Sequence, residues 1–306
     1  MSGMREVARN SVQSWEIDQM GHMNVQFYVE KASDGLATLA VQLGMGPSYA
    51  RGRHASLRER NLHVRFLRER RSGSPYFLRA GVLEVSTQQL RVYQEMVDGL
   101  SGEIAATFTS DVELVDSNSG HTLDLPACAR SQAMSWQAEH PEHGRPRGLD
   151  MSPPRRAPTL AEAEALGMAH TYQAQVQPAQ CDAQGRLARR HYMGAVSNAV
   201  PNLLAQTRGD DRSRTPSIGG AALEYRFVYR ETPRAGDVLT LRSGLKQVSA
   251  KTYIWCHWLF DLDSGACVAT AEAVAITLDL EARKAIPIPE ELRSRLEALV
   301  IDGLGV

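Results

Sequence analysis

The chain repeats itself, and this internal duplication constrains its fold more than any other feature. Three residues recur in the same order at an offset of 164: Asp18, Gly21 and Tyr28 match Asp182, Gly185 and Tyr192. At an offset of 161, Leu62, Arg65 and Phe66 match Leu223, Arg226 and Phe227. At an offset of 163, further residues of the segment Arg79–Asp116 match residues of Arg242–Asp279 in the same order. Chance rarely produces such collinear matches, so the sequence predicts two copies of one domain.

Length and proline content place the boundary between the copies. The 306 residues agree with two domains of about 150 residues each. Six of the 14 prolines lie between Pro126 and Pro158, and proline disfavours both helix interiors and central strands. We therefore predict an N-terminal domain over residues 1–125, a proline-rich linker over 126–167 and a C-terminal domain over 168–306.

Both halves show the same order of predicted elements. Apolar residues between Tyr28 and Leu43 recur at helical spacing, and four β-type segments follow before residue 116. The second half repeats this order with a helix over Tyr192–Ala205, which Pro201 should kink or shorten. One long helix followed by antiparallel strands, twice, predicts the α+β fold class.

Composition narrows the class of protein. Apolar residues make up 43% of the chain and charged residues 23%, which excludes a disordered or collagen-like chain. The net charge of −1 gives no general attraction to nucleic acid or to an anionic membrane, so we expect neither as a partner. The four cysteines have no C-x-x-C spacing, and no signal peptide or long apolar run is visible; these features predict reduced thiols and a cytoplasmic location.

The segment from Trp15 to Tyr28 concentrates titratable groups just before the first helix. Amides at a helix N-terminus can polarise a carbonyl oxygen, and Asp18 could attack that carbonyl or activate water to do so. Gly21 permits close backbone approach. The alternative interpretation is a helix entry, with Asn24 as the N-cap, Asp18 as a turn residue and His22 as a surface or hydrogen-bonded histidine.

The pattern D-x-x-G-H-M-N-x-x-x-Y over residues 18–28 resembles the hotdog-fold thioesterases, both the 4-hydroxybenzoyl-CoA type and the acyl-ACP type. The resemblance implies two tandem hotdog domains, each a long helix wrapped by a curved antiparallel β-sheet. It also implies catalytic roles for Asp18, His22 and Asn24. The acyl-ACP pattern has Asn where this chain has Met20, so that side-chain amide is missing.

The second copy of this pattern differs from the first at two polar positions. Arg186 stands where the first copy has His22, and Ala188 stands where it has Asn24. We therefore expect one competent site, built on the N-terminal motif. Substrate binding is assigned to five residues: Gly21, Met23, Tyr28, Arg65 and Arg68.

Arg65 and Arg68 belong to a segment from Arg51 to Arg71 that contains eight arginines. The phosphates of coenzyme A or an acidic acyl carrier protein could bind such a patch. The alternative is a solvated face in which Glu59 and Glu69 balance the charge. We expect no cofactor and no metal, because His140 and His143 of the linker lack a tetrahedral ligand set.

The implied activity is hydrolysis of an acyl thioester of coenzyme A or acyl carrier protein in fatty acid metabolism. Two other functions stay open: a hotdog enoyl- or hydroxyacyl-thioester hydratase or dehydratase, and a non-catalytic module that binds acyl-CoA. Release of free thiol distinguishes the hydrolase from both. Edge strands could also pair with a second copy, so a homo-oligomer is among the expected partners.

Overall fold

The chain folds into two units, Met1–Arg145 and Pro146–Val306, in the computed structural model. The structure describes residues 3–208, 218–282 and 284–306. Within these ranges, none of the helices combines the length and the hydropathy needed to pass through a bilayer. The boundary between the units falls inside the segment 126–167, which the sequence predicts as linker.

The first unit is built from one long helix, two short helices and six strands. In chain order they are β1 (Arg5–Ser11), α1 (Val25–Gln42), α2 (Pro47–Arg53), β2 (Ala55–Phe66), β3 (Pro75–Val85), β4 (Gln89–Asp98), β5 (Ile104–Asp116), β6 (Thr122–Leu123) and α3 (Ala127–Met134). The main sheet is antiparallel, in the order β1-β3-β4-β5-β2, and β6 pairs with β5.

Helix α1 covers the sheet of the first unit. It buries a stripe that includes Tyr28, Ala32 and Leu39, the spacing of one helical face, and it contacts β1 and β3. The sheet adds large buried side chains to the core, and among them Tyr76 and Phe108 are at most 2% exposed. Burial of this apolar face holds the helix in place and fixes where its N-terminus lies.

The second unit repeats this construction. Its elements are α4 (Leu160–Ala165), β7 (Ala169–Gln175), α5 (Arg190–Arg208), β8 (Ile218–Tyr229), β9 (Val238–Val248), β10 (Thr252–Asp261), β11 (Cys267–Asp279), β12 (Lys284–Ile286) and α6 (Glu290–Glu297). The antiparallel order β8-β11-β10-β9-β7, with β12 on β11, matches the order of the first sheet. The predicted α+β class and the long helix followed by four strands are confirmed.

The structure corrects one register of the predicted repeat. Strands β2 and β8 correspond at an offset of 163 rather than 161, so Phe66 matches Tyr229 and not Phe227. Phe66 packs edge-on against Tyr28 with ring centroids 5.0 Å apart, and Tyr229 packs against Tyr192 at the same distance. Side chains in a strand alternate with a period of two, so a shift by two keeps every residue on its face and leaves the hydrophobic pattern unchanged.

The repeated structure extends into the segment predicted as linker. Helix α3 matches α6 at an offset of 163, and a proline precedes each helix at the N-cap, Pro126 and Pro289. Residues after each helix add a short parallel bridge to the sheet, Val82 with Gln137 and Leu245 with Val300. The structure therefore places 126–138 with the first repeat, because Pro126 marks the start of a helix and not of an extended segment.

Residues 140–145 are also held on the first unit. Glu95, whose side chain is fully buried, accepts hydrogen bonds from His143 Nε2 at 2.7 Å, Arg79 Nε at 2.5 Å and the Tyr93 hydroxyl at 2.9 Å. The bonds from His143, Arg79 and Tyr93 lower the pKa of Glu95 against the opposing effect of burial. Charge-assisted bonds of this kind fix the end of the unit next to its boundary at Arg145.

Helix α5 continues through Pro201 to Arg208, so the expectation that Pro201 shortens the helix is wrong. Proline removes one helical hydrogen bond and crowds the preceding turn. Packing of α5 against β7 and β9 supplies enough stabilisation to carry the helix past this defect.

Replacing Pro201 by Ala is expected to raise the free energy of unfolding by about 2 kcal/mol, because the gain in helix propensity exceeds the lost rigidity of the unfolded chain. Pro201 is exposed, so the change removes no core packing. Urea unfolding measures the effect. The matched control is Ala37→Pro at the equivalent exposed position of α1, which should be strongly destabilising; an unchanged stability of Pro201→Ala would contradict the prediction.

Candidate active site

The loop of residues 17–24, here called the first motif loop, closes on itself through backbone hydrogen bonds. Asp18 N donates to His22 O at 3.0 Å, and Gly21 N donates to Asp18 O at 3.0 Å. Gly21 has a φ of +79°, a backbone conformation that side chains with a Cβ rarely adopt. The tight turn brings Asp18 and His22 onto one side of the loop, directly before α1.

Neighbouring segments hold both ends of the loop. Met23 N donates to Arg70 O at 2.7 Å, which ties the loop to the residues that follow β2. Asn24 N donates to Glu16 O at 2.8 Å. Glu16 belongs to a 3-10 turn, Ser14–Glu16, that precedes the loop. The loop is thus fixed by main-chain bonds before any side chain is considered.

Three titratable side chains meet at this loop. His22 Nδ1 lies 3.4 Å from Asp18 Oδ2, and His22 Nε2 lies 3.9 Å from Glu69 Oε1. The other carboxylate oxygen of Asp18 accepts a hydrogen bond from Met20 N at 2.8 Å. The side chains of Asp18 and His22 are 16% and 24% exposed, so both are partly desolvated yet open to a ligand. An imidazole between two carboxylates can hold or transfer a proton.

Asn24 is the N-cap of α1. Its side-chain oxygen accepts a hydrogen bond from Gln26 N at 3.1 Å, which satisfies one of the free amides of the first turn. The structure thus gives Asn24 the capping position of the alternative interpretation. Its catalytic role stays a prediction.

Replacing Asn24 by Ala is expected to lower the free energy of unfolding by about 1 kcal/mol, whereas Asn24→Ser should leave it nearly unchanged, because serine also caps helices. Thermal or urea unfolding of the two variants measures the difference. The serine variant lacks the amide, so a loss of turnover in that variant reports on chemistry and not on folding. Equal stability of the alanine and serine variants would contradict the capping role.

Two of the residues assigned to substrate binding lie in the core. Met23 is 1% exposed and Tyr28 is 3% exposed. The Tyr28 hydroxyl donates to Arg68 O at 3.4 Å, and burial raises the pKa of Tyr28. Both side chains support the loop from below, and Gly21 at the tip is exposed. Their assignment to substrate binding stays a prediction that depends on the resemblance.

The structure divides the arginine-rich segment into separate environments. Arg65 donates to His143 O at 2.8 Å and to Arg145 O at 2.9 Å, so it binds the end of the first unit. Arg68 Nη2 lies 3.3 Å from Glu103 Oε1, and the side chain of Arg68 is 60% exposed. Arg70 is buried in an ion pair with Asp98. Of the two arginines assigned to substrate, Arg68 is the more accessible, and its backbone oxygen contacts Tyr28 in the first turn of α1, just after the motif loop.

The second motif loop, residues 181–188, has the same backbone with different side chains. Asp182 N donates to Arg186 O at 2.7 Å, and Gly185 has a φ of +73°. Arg186 Nε lies 3.4 Å from Asp182 Oδ2, the same distance that separates His22 from Asp18 in the first loop. A guanidinium stays protonated and cannot exchange a proton near neutral pH. The loop geometry is duplicated, but the acid–base pair is not.

Sequence patterns missed Glu69 as a neighbour of His22. The two residues are 47 positions apart, and the hydrogen bond from Met23 N to Arg70 O brings the residues that follow β2 to the loop. No local signal predicts such a contact. Among the described residues, no group of three or more His, Cys, Asp or Glu side chains is placed to hold a metal ion.

Comparison with known proteins gives one matching family model. The model of the thioesterase-like superfamily matches residues 12–139 and again residues 176–296. Each match contains one motif loop, and each covers most of one structural repeat. None of the curated protein sequences matches the chain.

Solved structures share the fold over most of the chain. The putative oleoyl thioesterase from Lactobacillus plantarum has a TM-score of 0.68 at 12% identity, with 90% of this chain and 97% of that chain covered. An acyl-ACP thioesterase from Bacteroides thetaiotaomicron has a TM-score of 0.66 at 12% identity, with 89% and 98% covered. The 12:0-ACP thioesterase from Umbellularia californica has a TM-score of 0.65 at 14% identity, with 90% and 94% covered. The predicted fold, two tandem hotdog domains, is confirmed.

Proposed function

The chain belongs to the thioesterase-like superfamily, and from this membership we propose that it hydrolyses acyl thioesters at the first motif loop. The observation that carries the proposal is the pair of Asp18 and His22, 3.4 Å apart and partly exposed directly before α1. The second loop has no such pair. The proposal therefore assigns the reaction to the N-terminal unit.

Hydrolysis adds water across the carbon–sulfur bond and releases a carboxylic acid and a thiol. Asp18 acts as the nucleophile or as the general base that activates water, and general-base catalysis contributes about 10²- to 10⁴-fold. His22, next to Asp18 Oδ2, orients that carboxylate and exchanges the proton that the departing thiolate requires. Glu69 on the far side of the ring helps to hold the imidazole in this orientation.

The developing charge on the carbonyl oxygen needs hydrogen-bond donors. Around the start of α1, the backbone amides of Gly21, Met23 and Asn24 already donate within the protein. In the described part of the chain, the amides of His22 and Val25 have no acceptor. We assign the donor role to these two, and each such donor is worth about 10²- to 10³-fold.

The carrier of the acyl group is proposed as coenzyme A or acyl carrier protein. Two of the structural neighbours are named as thioesterases of acyl-ACP; at their low identity they support the fold and not the substrate of this chain. Exposed Arg68 beside the loop fits an anionic carrier of either kind. We also propose that the chain is cytoplasmic and that its substrate is not presented by a membrane.

Release of free thiol tests the proposed function. The purified full-length chain is offered short, long and aromatic acyl-CoAs and acyl-ACPs, and thiol is measured with a chromogenic disulfide. Turnover on at least one substrate is expected. A hydratase or dehydratase would change the acyl group without releasing thiol, and a binding module would bind acyl-CoA without turnover; either result would replace hydrolysis.

A further inference from the structure

A buried ion pair lies directly behind the first motif loop. Lys31 Nζ of α1 is 2.5 Å from Glu16 Oε1, and the two side chains are 8% and 2% exposed. A second carboxylate, Glu30 Oε2, is 3.7 Å from the same ammonium group. Burying two charges in this way has a desolvation cost that their attraction only partly offsets, so stability alone is a weak reason for the pair.

Glu16 connects the pair to both ends of the loop. Its other side-chain oxygen, Oε2, accepts a hydrogen bond from Gln13 N at 3.0 Å, which closes the 3-10 turn before the loop. Its backbone oxygen accepts from Asn24 N at 2.8 Å, where the loop meets α1. Lys31 lies in the second turn of that helix. The ion pair thus clamps the start of the loop to the helix that follows its end.

The second repeat builds the same turn without charge. The position of Glu16 is taken by Gln180 and that of Lys31 by Ala195. Gln180 still closes its 3-10 turn, with Oε1 accepting from Gln177 N at 2.7 Å, and its backbone oxygen accepts from Ala188 N at 2.9 Å. The backbone therefore needs a glutamine-like acceptor and no ion pair. The clamp is present only where Asp18 and His22 form an acid–base pair.

We propose that Glu16 and Lys31 are positioning residues, which hold the first motif loop so that Asp18 and His22 meet the thioester in productive geometry. This inference rests on the proposed function and deepens it. Neither residue touches the reacting atoms. Their contribution is rigidity between loop and helix, and a misplacement of about 1 Å in a catalytic group can cost roughly 10²-fold in rate.

Transplanting the neutral version of the second repeat tests the proposal. The double variant Glu16→Gln with Lys31→Ala removes both charges at once, keeps the hydrogen-bond acceptor and matches Gln180 and Ala195. We expect kcat to fall about 10- to 100-fold, by analogy with a positional error of this size. KM should stay within about threefold, since the substrate contacts remain, and the unfolding midpoint should stay close to that of the unchanged protein.

Two further variants separate positioning from stability. Lys31→Ala alone leaves a buried carboxylate unpaired and should destabilise the fold more than the double variant does. The control is Lys246→Met with Glu272→Gln, which removes an ion pair of the same 2.5 Å spacing in the second unit, between a half-buried lysine and a buried glutamate, and should leave kcat unchanged. A double variant of Glu16 and Lys31 with unchanged kcat would overturn the proposal.

Hydrogen exchange keeps this inference distinct from the proposed function. If the unchanged protein releases no thiol from any substrate, hydrolysis is wrong, and the clamp is judged by the amides of Asp18, Gly21 and Met23. Faster exchange of these amides in the double variant, with the second motif loop as internal reference, supports a clamp on the loop. Unchanged exchange, in an active or an inactive protein, overturns it.

Discussion

Replacing Asp18 by Asn is expected to lower thiol release at least 100-fold while the fold stays intact. The magnitude follows from the contribution of general-base catalysis, about 10²- to 10⁴-fold. Asparagine keeps the side-chain oxygen that accepts from Met20 N, so the turn should survive the change. An amide can neither accept a proton as a base nor attack the carbonyl as a carboxylate does. Steady-state thiol release and a thermal melt together measure the effect.

The second motif loop supplies the matched control. Asp182 accepts a hydrogen bond from Gln184 N at 2.8 Å, in the way that Asp18 accepts from Met20 N, so Asp182→Asn makes the same chemical change in the same turn. Turnover of this variant should equal that of the unchanged protein. Near-normal turnover of Asp18→Asn would remove Asp18 from the mechanism, and equal losses in both variants would point to a structural effect of the substitution.

Acidification is expected to destabilise the second unit through a buried histidine. His257 on β10 is 3% exposed, and its Nδ1 lies 2.9 Å from Ser243 Oγ. Burial lowers the pKa of His257 from 6.5 to about 4. The unfolded chain therefore binds this proton at a higher pH than the native state does. The part of the free energy of unfolding that depends on neutral His257 is fully present above pH 6.5. It is lost as the pH falls toward 4, by about 3 kcal/mol in total.

The repeat again offers the control substitution. Gln94 occupies the equivalent position on β4 and is also buried, and its side chain donates to Ala32 O of α1 at 3.1 Å. Replacing His257 by Gln should remove this part of the pH dependence, and the difference from the unchanged protein cancels the other titrating groups. Urea unfolding at pH 7 and pH 4.5 measures it. Parallel losses of stability in both proteins would show that His257 is protonated without penalty.

Much of the fold could be predicted because the same residue pattern occurs in both halves of the chain. Helical spacing after Tyr28 predicts α1, and the β-type segments between residues 62 and 115 predict four of the strands. The offset of 163 across β3, β4 and β5 fits the structure. The register of β2 could not be resolved in this way, because a shift by two residues preserves its alternation. It is set by the contact of Phe66 with Tyr28.

The prolines could be interpreted in two ways, as the start of a linker or as the start of a helix. A proline excludes a helix interior, yet it is well tolerated just before a helix begins. The first reading makes Pro126 the start of a linker, and the second makes it the start of α3. Pro201 shows the opposite case, since packing carries α5 past a residue that local rules treat as a stop.

The candidate site was partly accessible from the sequence. Asp18, Gly21 and His22 lie within five residues, so their proximity follows from the turn itself. Glu69 joins them through the end of β2, and Lys31 joins Glu16 from within α1. These contacts depend on tertiary packing, and no spacing in a single sequence reports them.

Main-chain bonds close both motif loops, so the backbone of each loop does not depend on the side chains that give it its chemistry. When a domain is copied within one gene, a turn that needs little more than a glycine and its own amides survives whatever happens to its exposed side chains. The exposed side chains of either loop can then differ without risk to the turn. His22 beside Asp18 and Arg186 beside Asp182 are two side-chain pairs carried by the same turn. A turn that is closed by its own main chain can therefore carry a different chemistry after few substitutions.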